Sequence, residues 1–348
     1  MSDWVSLVLL FALGLAGIFF LFVAALQYYF RRRYLQNVVR IFEERPFFII
    51  PQGKPIPGAE EVQFQTGAGL TLRGCYLYAR KPRKGVILFG LEFGSNRWSC
   101  YQYCSNLLDA GYDIFAYEPR NQGLSDVDPK YTPLQWVTDR DADDMMAAIE
   151  YLKRRKDAPE AGIGILGVSK GGSLGILAAA SDPWVKCVVT DGAYGTYTTM
   201  VPYMRRWAPI YINSPMWMRR LCPDWFYGLV GLAAIKAVAH YRGVSFLSVE
   251  NALRRLQQPL LMIHGQKDTY IKPEMAESLL EMAASTEKRL WIVANAKHNC
   301  ALTVQTEEYP RQLTEFFSAH LNSAAPDSAE VHSQVPVSVD RLATASSS

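Results

Sequence analysis

The segment Gly167-Val168-Ser169-Lys170-Gly171 sets a serine between two glycines. The β-rich run Gly164-Ile165-Leu166 leads into it, and a small-residue helical pattern over 173–180 leads out. Chance alone produces a G-x-S-x-G match in roughly one chain in ten at this length, so the context carries the reading. A strand-to-helix turn can hold a serine on a strained corner with its oxygen exposed. A serine hydroxyl is a weak nucleophile and needs a histidine base, itself oriented by a carboxylate. Downstream, Ile263-His264-Gly265-Gln266-Lys267-Asp268 leaves an apolar run and places Asp268 in a loop. Ala294-Asn295-Ala296-Lys297-His298-Asn299 follows the next run, with His298 in its loop. A serine, an acid and a histidine in the loops after three separate strands would suit acyl transfer.

Rivals exist for each role. The chain has five histidines. His320 and His332 lie at or in a polar tail. His264 ends a strand, where a structural imidazole is expected, and His240 sits in an apolar helical stretch that reads as core. Asp191, after Val188-Val189-Thr190, is the rival orienting acid. The plain alternative for Ser169 is a glycine-rich turn with a solvated hydroxyl, in a chain that binds without catalysis.

The elements that must position these residues are legible as apolar runs. Strands are expected over 62–66, 70–78, 85–89, 112–117, 162–166, 185–190, 259–264 and 289–293. Several are continuously apolar, such as Val86-Ile87-Leu88-Phe89, as strands buried on both faces of a parallel sheet are. Helical stretches over 134–155 and 171–180 supply crossovers, so the fold class is α/β. In a parallel sheet all three loops emerge at the C-terminal edge, where sites gather.

Composition limits the remaining choices. Lys+Arg 36 against Asp+Glu 33 gives a net charge of +3 over 348 residues, which disfavours an electrostatic nucleic-acid binder. Hydrophobic residues at 49% exclude a mainly disordered chain. The six cysteines form no C-x-x-C pair, so a zinc site or disulfide framework is poorly supported and buried free thiols are expected. From Trp4 to Phe30 there is no charge, Tyr28 and Tyr29 sit near its end where an aromatic belt would, and Arg31-Arg32-Arg33 follow. A helix there would reach roughly 40 Å, enough to cross a bilayer. A cleaved signal peptide would favour a basic start and a shorter run, whereas Asp3 precedes this one. The arginines place everything after residue 30 on the cytoplasmic side.

From about Glu61 to Leu321 the chain resembles the α/β-hydrolase superfamily, near its esterase, lipase and serine-aminopeptidase-like branches. The resemblance rests on Ile165-Leu166-Gly167-Val168-Ser169-Lys170-Gly171-Gly172, His264-Gly265-Gln266-Lys267-Asp268 and Lys297-His298-Asn299, in the family's Ser…Asp…His order. Tyr117-Glu118-Pro119-Arg120-Asn121-Gln122-Gly123-Leu124-Ser125 is similar to the family's D-x-R-G-x-G-x-S loop and reads as structural. The resemblance implies an eight-stranded, mostly parallel sheet with a helical cap, no cofactor or metal, and an oxyanion hole from two backbone amides. These would be Lys170 and Phe93. Leu91-Glu92 stand where the family usually has His-Gly, and Glu92 is expected to point away or to pair with Arg97.

The expected organisation is an anchor over 1–30, a basic juxtamembrane linker over 31–60, a hydrolase domain over 61–322 and a disordered tail over 323–348. The cap spans about 194–251. It is dense in aromatics, including Tyr194, Tyr203, Trp207, Tyr211, Trp217 and Phe226, with Arg205, Arg206, Arg219 and Arg220. Either these form the cap's own core, or they line an apolar, cation-rimmed acyl pocket. The run 229–238 is too short for a second span, and an interfacial position is open to it. The expected activity is ester hydrolysis by a membrane-anchored serine hydrolase, with amides or thioesters as alternatives. The expected partner is a small acyl substrate, lipid-like if the cap holds an acyl pocket.

Overall fold

A computed structural model describes residues 2–43, 50–211 and 222–321. Eight strands form one sheet: β1 (Glu60–Gln65), β2 (Thr71–Leu77), β3 (Gly85–Gly90), β4 (Tyr112–Glu118), β5 (Ile163–Val168), β6 (Val185–Asp191), β7 (Leu260–Gly265) and β8 (Lys288–Val293). Their order is β1-β2-β4-β3-β5-β6-β7-β8. β2 is antiparallel to β1 and β4, and the other neighbours are parallel. Each expected strand is present. β3, β4, β5 and β7 are buried along their whole length, which is why Val86–Phe89 of β3 and Leu260–Ile263 of β7 read as unbroken apolar runs, although β4 carries Asp113 and Glu118. β1 lies at the edge and alternates instead.

Successive residues of a strand point to opposite faces, and each face has its own core. Val86, Leu88 and Ile165 pack with Met145, Ile149 and Leu174 of α3 (Asp139–Arg154) and α4 (Lys170–Ala179). Two further helices, which we number α7 (Val249–Leu253) and α8 (Pro273–Met282), complete that layer. Ile87, Phe89 and Leu166 face the other way, against Leu107 of α2 (Cys100–Ala110) and Phe317 of α10 (Glu308–His320). The short α9 (Ala301–Val304) precedes α10. All six cysteines are free thiols, four of them buried.

Two helices run differently from the sequence reading. The helix expected over 134–155 starts at Asp139, because Thr138 and Asp141 form a reciprocal capping box there. Leu134 and Trp136 turn into the cap instead. The N-terminal helix, α1 (Ser2–Glu43), does not stop at residue 30. No glycine or proline falls between residues 18 and 44, and Leu35, Val38 and Val39 give the extension an apolar side. That side packs on the cap helices α5 (Thr196–Tyr211) and α6 (Asp224–Arg242), with Val38 fully buried among Met204, Phe226 and Val230. Part of the proposed linker is thus a packed helix. His240 is exposed in the last turn of α6 rather than in the core, because the buried side of that helix runs through Ala234, Ile235 and Val238. Trp217, Arg219, Arg220, His332 and the tail over 323–348 lie outside the described residues.

Candidate active site

Sheet register brings the strand ends together. Val168 sits opposite Asp191, Asp191 opposite Ile263, and Gly265 opposite Val293, so the loops after β5, β6, β7 and β8 leave one edge side by side. Ser169 occupies the turn between β5 and α4 at φ 51° and ψ −116°. Such a backbone costs a non-glycine residue about 1–3 kcal/mol and persists only where its surroundings enforce it. Here the Ser169 amide donates to the Asp191 carbonyl at 2.7 Å. A Cβ on Gly171 would lie 2.2 Å from the Gly90 backbone, and one on Gly167 would lie 2.4 Å from the Gly171 carbonyl. The elbow closes only with glycines at both places.

Ser169, His298 and Asp268 meet at this edge. Ser169 Oγ lies 3.1 Å from His298 Nε2, and His298 Nδ1 lies 2.6 Å from Asp268 Oδ2. The Nδ1–H tautomer satisfies both contacts: Nδ1 donates to Asp268 and Nε2 accepts from the serine. Asp268 Oδ1 accepts from the Tyr270 and Ile271 amides at 2.8 and 3.0 Å, which fixes the carboxylate plane. Burial works against the Asp268 charge, yet the hydrogen bond and proximity of His298 hold its carboxyl below the ordinary range. His264 is the structural imidazole expected, buried with Nε2 at 2.7 Å from the Ile271 carbonyl.

The remaining acids are arranged differently from the sequence reading. Glu92 does not pair with Arg97. Arg97 instead donates to Glu118 at 2.8 Å and reaches Glu61 at 3.4 Å, so the loop after β4 is structural as expected. Glu92 is buried and accepts from Asn299 Nδ2 at 2.8 Å, with the Tyr103 hydroxyl at 3.5 Å. Burial pushes its carboxyl up, against the opposing pull of Asn299 and His298. Asp191 is wholly buried and neither oxygen has a partner of good geometry, although the Tyr309 hydroxyl lies beside it. Burial pushes it up to about 7. It meets Ser169 through its backbone carbonyl.

Lys170 opens α4, so its amide belongs to the first-turn N–H groups that a helix leaves without an intrahelical acceptor. Its side chain turns into the protein, donating to Asp141 at 2.8 Å and to the Leu134 carbonyl at 2.6 Å. Phe93 borders the same cavity as Ser169 and His298. That cavity, about 40 Å³, is walled by Trp136, Tyr194, Tyr203, Tyr270 and Ile271, and among the described residues no Asp, Glu, Lys or Arg lines it. Trp136 and Tyr203 meet edge to face at 5.5 Å, so cap aromatics pack on one another as well as on the site.

Two neighbours escaped the sequence reading. Gly192, at φ +70°, backs onto the histidine loop: a Cβ there would stand 3.2 Å from His298 Cε1 and 2.6 Å from Asn299 Oδ1. Asn299, at φ 55°, ties that loop to Glu92. Their residue types, which tolerate positive φ, were the only signal.

Residues 134–324 match the prolyl oligopeptidase family, peptidase S9. The chain is 23% identical to the mouse serine hydrolase BPHL over 285 residues, covering 77% of this chain and 91% of that protein. It is 22% identical to Escherichia coli YfhR over 316 residues, covering 88% and 95% respectively. An esterase of Pyrococcus furiosus superposes with a TM-score of 0.58 at 20% identity, covering 80% of this chain and all of that one. The fold is that of the α/β hydrolases.

Proposed function

The chain belongs to the prolyl oligopeptidase family of serine hydrolases, and on that footing we propose that it cleaves carboxylic esters at a membrane with Ser169, His298 and Asp268 as its triad. The observation that carries this is the unbroken line from Ser169 Oγ through His298 to Asp268, at 3.1 and 2.6 Å. Ser169 attacks the acyl carbon while His298 Nε2 takes its proton. The imidazolium then protonates the departing alkoxide, leaving an acyl-serine. Water, deprotonated by the same nitrogen, attacks the acyl-serine, and the collapsing intermediate takes the proton back onto Oγ. The Lys170 and Phe93 amides receive the charge on the tetrahedral oxygen, and the α4 dipole favours negative charge at that end.

An apolar acyl group suits the aromatic walls beside Ser169. A peptide bond is the second reading, favoured by the family match. Against it, among the described residues no carboxylate lines the cavity to hold a peptide's terminal ammonium. Trp4–Arg40 is long and apolar enough to cross a membrane, with none of its most apolar window buried. We propose that it does so, with the hydrolase on the cytoplasmic side as Arg31, Arg32 and Arg33 favour.

Matched substrates test this reading. p-Nitrophenyl butyrate should give a higher kcat/KM than butyryl p-nitroanilide, and the reverse order would turn the assignment to amides. Along a p-nitrophenyl series from acetyl upward, kcat/KM should rise until the cavity fills, by up to about fourfold per methylene at ~0.8 kcal/mol. A steady fall from acetyl would remove the apolar acyl pocket.

A further inference from the structure

α1 and the cap share one level along the helix axis. Residues 4–22 are exposed on every side, a length of about 28 Å that matches a hydrocarbon core of ~30 Å. Packing on the hydrolase begins at Val23, and the first buried side chain is Gln27, whose Nε2 donates to the Phe226 carbonyl at 3.4 Å. The Phe30 and Phe226 rings meet at 5.2 Å, and at the far end Arg242 holds Glu43 at 2.7 Å. α1 and α6 therefore run parallel, with the start of α6 level with residues 27–30. From Phe22 to Gln27 the helix rises about 7.5 Å. The polar headgroup layer is about 5–7 Å deep on each side of a bilayer. A hydrocarbon core spanning residues 4–22 would accordingly set the tip of the cap at that layer.

The residues at the tip fit it. Trp225, Leu229 and Leu232 follow one another at helical spacing on the solvent side of α6 and are 49%, 40% and 37% exposed. Farther from the membrane level, the same side carries exposed Lys236 and His240. Arg205 of α5 pairs with Asp224, which brings the end of α5 to the same place, and Ile210 there is 68% exposed. Tyr28 and Tyr29 are exposed on α1 at this level, with Arg31, Arg32 and Arg33 just beyond it. Tryptophan and tyrosine concentrate at membrane interfaces, and arginines beside them meet anionic headgroups.

We propose that the tip of the cap, Ile210, Trp225 and Leu229, is seated in the headgroup layer of the bilayer that α1 crosses. The hydrolase is then held to the membrane by two elements, and the cap roofing Ser169 touches lipid. This rests on the membrane anchoring proposed above. The test uses the full chain in phosphatidylcholine/phosphatidylglycerol vesicles, with the half-exposed Cys222 and Cys300 changed to serine. A bimane label is placed in turn by Phe11→Cys, Trp225→Cys, Leu229→Cys and Tyr241→Cys. Nitroxides on lipid headgroups should quench the labels at 225 and 229 and leave the label at 241 bright, and mid-chain nitroxides should quench the label at 11. If the label at 11 is quenched while those at 225 and 229 behave like 241, the cap stands clear of the bilayer and the proposal is wrong. A label at 225 shielded from aqueous iodide, unquenched by lipid and sensitive to protein density would assign the tip to a second copy of the chain, also against it. No quenching at 11 would overturn the anchoring itself, and with it this inference.

Discussion

Replacing Asp268 with asparagine alters one atom at nearly constant volume and should trap the base in the wrong tautomer. Asp268 Oδ1 accepts the Tyr270 and Ile271 amides at 2.8 and 3.0 Å, a place that only an oxygen can fill. The new NH₂ must then face His298 Nδ1, where Oδ2 now accepts at 2.6 Å. Two donors cannot face each other, so the imidazole moves its proton to Nε2 and can no longer take one from Ser169. The same trap lowers kcat about 10⁴-fold in the serine-protease triad. That is roughly 5.5 kcal/mol of transition-state stabilisation. The assay is kcat on p-nitrophenyl butyrate, paired with thermal melting to show a folded chain. Asp191→Asn should cost far less, because that side chain lies buried beside Tyr309 and meets Ser169 only through its backbone. A larger loss from Asp191→Asn than from Asp268→Asn would move the acid to the loop after β6 and refute the argument.

Other outcomes follow from the same geometry. Gly192→Ala forces a methyl to within 3.2 Å of the His298 ring at φ +70°, and the displaced base should lower kcat about 10²-fold with little change in KM. Burial keeps the Asp191 proton in the folded chain up to about pH 7, against a starting value of 3.8, so the folded state holds the extra proton and stability falls as pH rises between those values. Asp191→Asn should remove that fall, worth up to ~4 kcal/mol, raising Tm at pH 8 and leaving it nearly unchanged near pH 4. A chain beginning at Val23 should melt like the full protein and no longer resist carbonate extraction. Deletion through Glu43 should lower Tm, since it uncovers Phe226 and the rest of the cap core.

What the sequence made legible was whatever repeats a local rule. Buried parallel strands announce themselves as unbroken apolar runs, and a nucleophile elbow needs glycines where Gly167 and Gly171 stand. Asp268 and His298 were readable because each loop follows its own strand. Partnerships across elements were not readable, because no spacing encodes them. Glu92 and Arg97 are five residues apart in sequence, yet one faces Asn299 and the other Glu118. Lys170 was read for its backbone amide alone, and its side chain proves to be buried against Asp141. The continuation of α1 past Arg33 was hidden because charge reads as an end of a span, whereas a helix ends only where its backbone or packing does.

The central claim is that Ser169 is a nucleophile activated by His298. A fluorophosphonate probe, which reacts with activated serines, tests it directly by intact mass and peptide mapping of the full-length chain. The account predicts one adduct, mapped to Ser169, absent from Ser169→Ala and strongly slowed in Asp268→Asn. A wild-type chain left unlabelled under conditions that saturate a control esterase would contradict it and leave a hydrolase fold that binds without catalysis.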